Sequence, residues 1–143
     1  MLDRCQSIES YTLLDFSEHM LGLSRDRLVA FPAATFVPAS FKSEDWTRRV
    51  ESPFDCVIAM QSVHELRHKR HATLLYEQVY QVLSVPGLLA ICDHLPCYGS
   101  PTSTALYMTE PEQLQALAAA GFSNGHIELS MNGMVLYLGE RTA

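Results

Sequence analysis

His64-Glu65-Leu66-Arg67-His68 carries the letters of a zinc-protease motif. Within one continuous helix, histidines four apart face the same way and bind Zn²⁺, and the glutamate between them serves as general base. The surrounding residues argue against that use. The extended pattern HExxHxxGxxH fails, because His71 stands where glycine belongs and Leu74 where the last histidine belongs. Glu77 is the remaining ligand candidate, but it lies on the same helical stretch, whereas a third ligand normally arrives from a separate element. An apolar run also ends just before His64, at Met60, which leaves no helical turn to present it. No metal site is expected. Arg67, Lys69 and Arg70 add a cationic cluster, read either as a solvated face or as an attractor for an anionic ligand.

The elements around these residues are more informative than the five letters. Phe54 to Met60 is a short apolar run, Gln61 to Glu65 a polar break, and Lys69 to Leu83 a helix-period stretch. Pro86-Gly87 then leads into a second apolar run, Leu88 to Cys92, that ends in Asp93-His94. Strand, helix and strand in that order form a βαβ unit, with two parallel strands joined by a right-handed crossover. Ala72, Leu75, Tyr76, Val79, Val82 and Leu83 make the stripe that covers a sheet.

The rest of the chain repeats this alternation. Tyr11 to Leu14 is a strand closed by Asp15, and Ser17 caps a helix whose Met20, Leu21, Ser24 and Leu28 share a face. Thr35 to Val37 is another strand. Residues 41–50 are polar, with Trp46 the one large apolar side chain, and read as a loop with a short helix. Residues 95–104 read as a loop. Thr109-Glu110-Pro111-Glu112 is a capping box for a helix with Leu114, Leu117 and Ala118 inward, closed by Gly121. His126 to Leu129 and Met131 to Leu138 are joined through Asn132-Gly133, which is hairpin chemistry.

Composition sets the bounds. The 143 residues, 48% of them apolar, suit one domain. No apolar run nears the roughly 20 residues of a membrane span, and the N-terminus lacks the core of a signal peptide. A net charge of −6 argues against a nucleic-acid surface. The four cysteines form no CxxC pair, and Cys56 and Cys92 fall in runs that read as buried strands. A reducing cytoplasm without disulfides is expected.

These segments together resemble a class I S-adenosylmethionine-dependent methyltransferase over nearly the whole chain. Leu14-Asp15-Phe16-Ser17-Glu18-His19-Met20-Leu21 is similar to that family's second-strand motif. Pro53 to Ile58 resembles its fourth strand. Val82-Leu83-Ser84-Val85-Pro86-Gly87-Leu88-Leu89 resembles the start of its fifth, with Leu88 in place of a second glycine. The resemblance implies a Rossmann-like open α/β sheet, mostly parallel, with an antiparallel C-terminal strand pair. It implies S-adenosylmethionine as cofactor and a small-molecule acceptor.

Carried over residue by residue, the resemblance gives Asp15 the ribose hydroxyls, with Phe16 and Met20 near the adenine. A carboxylate ending a strand of an open α/β sheet is chemically suited to that task; the competing role is a plain turn-starting aspartate. Ser40 stands where the family often has an adenine-binding aspartate, and Phe41 beside it can stack on the ring. Met60 and Gln61 fall beside the methionine part. His64 is the best-placed base for the acceptor's proton, with a packing or capping role as the competing reading. Asp93 and His94 fall on the acceptor side. The family's first strand and glycine-rich loop have no counterpart here, and residues 1–10 read as the tail of the following helix. The expectation is a partial, N-terminally truncated domain, 1–143, whose isolated chain is weak or inactive. The missing strand would leave two edges exposed or force them to pair, and a homodimer is one way to cover them. The alternatives are a non-catalytic remnant or a subunit completed by a partner, and more distantly the zinc hydrolase.

Overall fold

The computed structural model describes residues 7–97 and 99–143. The chain divides into two compact units, with the boundary between Glu51 and Ser52.

The first unit is a β-α-β crossover. Strand β1 (Tyr11–Asp15) pairs in parallel with β2 (Ala34–Pro38), and helix α1 (Glu18–Arg27) connects them. Ser17 caps α1 as its sequence dictates, its Oγ accepting the Met20 N–H at 3.3 Å. Leu21 is the one fully buried side chain of that helix, while Met20 stays half exposed. Trp46 is buried from a short 3₁₀ turn at Trp46–Arg49. The expected helical tail at residues 1–10 is not helical at 7–10. Residues 1–6, with Cys5, lie outside the described part.

The second unit holds a four-stranded sheet in the order β3-β4-β6-β5. Its strands are β3 (Phe54–Met60), β4 (Leu83–His94), β5 (Ser123–Met131) and β6 (Met134–Arg141). The β3–β4 pair is parallel, and β4–β6 and β5–β6 are antiparallel. Helices α2 (Ala72–Val82) and α4 (Glu110–Ala119) touch each other and the sheet, and a short α3 (Pro101–Leu106) precedes α4. The α2 stripe is buried as its spacing predicts. Gly121, at φ 96°, closes α4, and Asn132 (φ 53°) with Gly133 (φ 77°) makes the β5–β6 turn.

Alternation along β4 and β6 gives the sheet two unlike faces. Leu89, Ile91, Asp93, Val135 and Tyr137 are buried on one. A Cβ on Gly139, from the same face, would lie 3.2–3.3 Å from Phe122 and Leu117, so α4 approaches as closely as a glycine permits. Cys56, Ile58, Met60, Leu129 and Met131 lie on the other face and are exposed. Cys56 therefore departs from the expected buried strand. The apolar runs suggested cover on both faces, and α2 and α4 cover one.

Four other expectations change. The helical stretch from Lys69 is 3₁₀ at first, and α2 starts at Ala72. Pro86-Gly87 does not separate helix from strand: β4 already runs from Leu83. The pairing steps from Phe54↔Leu83 to Cys56↔Leu88 around a bulge. Gly87 is required there, because a Cβ would lie 2.5 Å from the Ser84 carbonyl oxygen. The 95–104 loop contains the start of α3, where Ser100 caps by accepting the Ser103 N–H. The inner face of α4 is Gln113, Ala116 and Leu117, with Ala118 exposed. Among the described residues, β1 has one hydrogen-bonded neighbour in its unit, β2, and β3 has one in its own, β4.

Arg141 ties the end of β6 to the end of α2. Its guanidinium donates to the carbonyls of Tyr80 at 2.6 Å and Leu83 at 2.7 Å, and stacks 4.7 Å from the Tyr80 ring centroid. A cation at a helix C-terminus satisfies carbonyls with no intrahelical partner and complements the dipole. Arg141→Met keeps the apolar stem and is expected to destabilise this unit by about 2–3 kcal/mol, read as a lowered urea midpoint. An unchanged midpoint would show that the guanidinium contributes nothing.

Candidate functional site

In the first unit the candidate residues gather at the carboxyl ends of β1 and β2. Asp15 pairs with Pro38 in register, and its carbonyl accepts the Ala39 N–H at 3.2 Å, which places Ser40 and Phe41 just beyond the same edge. The Asp15 carboxylate accepts the Ser17 N–H at 2.8 Å and so starts the turn into α1. That uses one of its roughly four acceptor positions and leaves the others for a ligand. Ser40 Oγ accepts the Lys42 N–H at 3.3 Å and keeps its own proton to donate. Phe16 is two-thirds exposed and Met20 half exposed, both apolar and both next to Asp15 in this edge or its helix.

In the second unit Met60, Gln61 and His64 stand at the carboxyl end of β3. Met60 is exposed. Gln61 donates its backbone N–H to the Cys92 carbonyl at 2.7 Å, and its amide nitrogen lies 3.5 Å from the Met134 sulfur. Gln61 (φ 48°) and Arg67 (φ 66°) are left-handed non-glycine residues on either side of a 3₁₀ turn at Val63–Leu66. Such conformations cost about 1–3 kcal/mol each and collect at functional sites. They aim the His64 turn back across the end of β4.

There His64 meets Asp93. Its backbone N–H donates to Oδ2 of the aspartate at 3.2 Å, and its Nδ1 lies 2.9 Å from Oδ1. Oδ1 also accepts the His94 N–H at 2.9 Å. A carboxylate only accepts, so Nδ1 carries the proton and Nε2 of a neutral His64 keeps its lone pair. Glu65, 3.7 Å from Nε2, is the neighbouring charge. Tyr107, directly after α3, packs its ring 5.1 Å from that of His64 and 5.9 Å from that of His94. The result is an oriented imidazole packed against an aromatic ring, its side chain 19% exposed, and held by a buried acid.

Sequence reasoning placed His64, Asp93 and His94 at this edge but did not pair the first two, and it missed Tyr107. Asp93 lies 29 residues from His64, so no local spacing signals the bond. The zinc geometry is not formed. Arg67 breaks the helix between the two histidines, and His68 instead caps the next 3₁₀ turn, its Nδ1 accepting the Arg70 N–H at 3.1 Å. The cationic cluster is also dispersed. Lys69 bonds Glu112 at 2.6 Å, Arg67 pairs with Glu65 at 3.5 Å, and Arg70 donates to His71. The Lys69 ammonium and the Thr109 N–H hold the Glu112 carboxyl below its ordinary value.

No family model of sequences and no curated protein matches the chain. Solved structures do match. An O-methyltransferase family protein from Burkholderia thailandensis superposes with a TM-score of 0.81 at 14% identity, over 99% of this chain and 46% of that one. The citrinin polyketide synthase CMeT domain gives 0.78 at 15% identity, over 97% and 41%. PigF with SAH gives 0.75 at 14%, over 98% and 45%. The chain thus has the α/β fold of these methyltransferases and spans less than half the length of each. Its mostly parallel strands and antiparallel C-terminal pair are those the sequence implies.

Equilibrated with zinc and desalted, the protein is expected to retain well under one ion per chain by plasma emission. One zinc per chain, lost in His64→Ala, would restore the metal reading.

Proposed function

We propose that this chain is part of an S-adenosylmethionine-dependent methyltransferase domain acting on a small-molecule acceptor, with His64 as the base. The observation that carries this reading is the His64–Asp93 bond at the carboxyl end of β3 and β4. Open α/β sheets bind ligands at that edge. The fold shared with methyltransferases supports the choice of reaction, and the SAH of the PigF structure supports the choice of cofactor.

The residues present suit that cofactor in three respects. Asp15 has acceptor positions left for the ribose hydroxyls. Phe16, Met20 and Phe41 offer apolar surface for the adenine, with Ser40 beside it. Met60 and Gln61 lie at the strand end assigned to the methionine part. When bound, S-adenosylmethionine supplies an electrophilic methyl group on a sulfonium. His64 takes the proton of the acceptor's O–H or N–H on Nε2 as the new bond to carbon forms. Asp93 keeps the imidazole in the tautomer that permits this and faces the positive charge that results. Gln61 and Arg67, through their left-handed backbone, fix where Nε2 lies. Both units belong to one domain in this reading, and the free thiols of Cys56 and Cys92 suit the cytoplasm.

A second reading is a subunit completed by a partner. It is favoured by β3, which among the described residues has one hydrogen-bonded neighbour and whose other edge can receive a strand from a second copy or another segment. The residues in hand also include no glycine-rich turn for close approach to a cofactor.

Calorimetry of this chain with S-adenosylmethionine is therefore expected to show weak binding or none, and Asp15→Ala should remove what binding remains. Low-micromolar affinity of the chain alone would defeat the need for completion. In a preparation that transfers labelled methyl to hydroxyl-bearing acceptors, His64→Ala should lower kcat by about 10²-fold or more with little change in cofactor affinity. Full activity in His64→Ala would remove the base assignment.

A further inference from the structure

The bond to Asp93 holds the His64 ring at one atom, with Nδ1 2.9 Å from Oδ1. One hydrogen bond leaves the plane of the imidazole free to turn about it, because the outer torsion of a histidine side chain has a broad minimum. The backbone N–H of His64 grips Oδ2 of the same carboxylate at 3.2 Å, which fixes the main chain and not the ring plane. A base that must present Nε2 along one line needs a second restraint, placed against a face of its ring.

Tyr107 is in place to supply it. Its ring centroid lies 5.1 Å from that of His64, with the planes tilted by 41°, and 5.9 Å from that of His94, edge-on at 82°. Such separations are those of aromatic rings in contact. His94 in turn donates its backbone N–H to Oδ1 of Asp93, the oxygen that receives the imidazole. His64, Asp93, His94 and Tyr107 thus close a loop of contacts, and the tyrosine rests on both residues that bond the acid. The chain secures Tyr107 on either side. Its N–H donates to the Ser103 carbonyl at 2.9 Å and ends α3, while the Ser103 hydroxyl accepts the Cys97 N–H at 2.7 Å. Met108 directly after it is buried, and Thr109 opens the capping box of α4. Tyr107 itself keeps part of its surface exposed, so core filling does not account for its place.

We propose that Tyr107 is a positioning residue for His64: its ring lies against the imidazole, stops it from turning about the bond to Asp93, and so keeps Nε2 on one line. This rests on the reading of His64 as the base. Asp93 selects the tautomer, and Tyr107 sets the plane. A reacting side chain is aimed only as well as its supporting contacts lock its rotamer. The restraint comes from the flat ring and not from the hydroxyl, so phenylalanine should serve and an aliphatic side chain should not.

The test reads the imidazole directly, by carbon-13 relaxation and nitrogen-15 spectra of the full chain labelled in its histidine rings. The His64 ring is expected to show the Nδ1–H tautomer and to be as ordered as rigid backbone, with an order parameter of about 0.85. In Tyr107→Leu, with the amide spectrum intact, the order parameter should fall to about 0.6 or below while the tautomer persists. Tyr107→Phe should keep the ordered value. In a preparation that transfers methyl, Tyr107→Leu should lower kcat about tenfold with little change in KM. Three results overturn the proposal: a His64 ring that stays ordered in folded Tyr107→Leu, a ring that loosens equally in Tyr107→Phe, or full kcat in Tyr107→Leu. If Tyr107→Leu does not fold, Tyr107→Met decides by the same readouts. Loss of the Nδ1–H tautomer already in the unaltered protein is a distinct failure, which removes the His64–Asp93 pairing and takes the base reading and this proposal with it.

Discussion

Strand β4 has to satisfy two neighbours and two faces at once. It pairs in parallel with β3 and antiparallel with β6, and every second side chain from Gly87 to Asp93 points under α2 and α4. That alternation fixes the register of the whole unit, because a slip of one residue would bring Leu88, Ala90 and Cys92 under the helices and turn Asp93 outward. The position of Asp93 is therefore not a local choice. It is the last inward residue of a strand held by apolar burial along its length. The carboxylate that orients His64 takes its place from Leu89 and Ile91, each at most 1% exposed.

Much of this was legible from short spans. Ser17, Gly121 and Asn132-Gly133 declare a cap, a helix end and a hairpin through chemistry spanning four residues or fewer, so a sequence reader can see them. The α2 stripe is legible for the same reason. What escaped was set by contacts at long range. The inner face of α4 was misjudged at Gln113, a polar residue whose burial makes sense only with Tyr76 across from it. Cys56 was assigned to a core because an apolar run does not say which of its two faces is covered. The break at Arg67 depends on a left-handed backbone that arginine rarely adopts, and no propensity scale would have placed it there.

The candidate residues show the same division. Asp15 and Ser40 in the first unit, and Met60 and His64 in the second, stand at strand ends, which the alternation of elements already gives. The joining of His64 to Asp93, and the wall made by Tyr107, follow from how α3 and the 3₁₀ turn meet. The five letters HELRH are instructive in this respect. Their spacing is right for a metal, and the backbone between them is wrong.

The two outer strands of the four-stranded sheet differ in how they treat a passing chain. Along β5 the register with β6 shifts twice, and Asn124 is left-handed, so its free edge is twisted and interrupted. Along β3 the pairing runs unbroken from Cys56 to Met60, and its uncovered face is apolar. Irregular edges resist the addition of further strands, and flat apolar ones invite it. The colloidal behaviour of the isolated polypeptide is thereby polarised: concentrated stocks should nucleate ordered aggregates from β3, and a charged residue at Ile58 would slow their growth more than any change on β5.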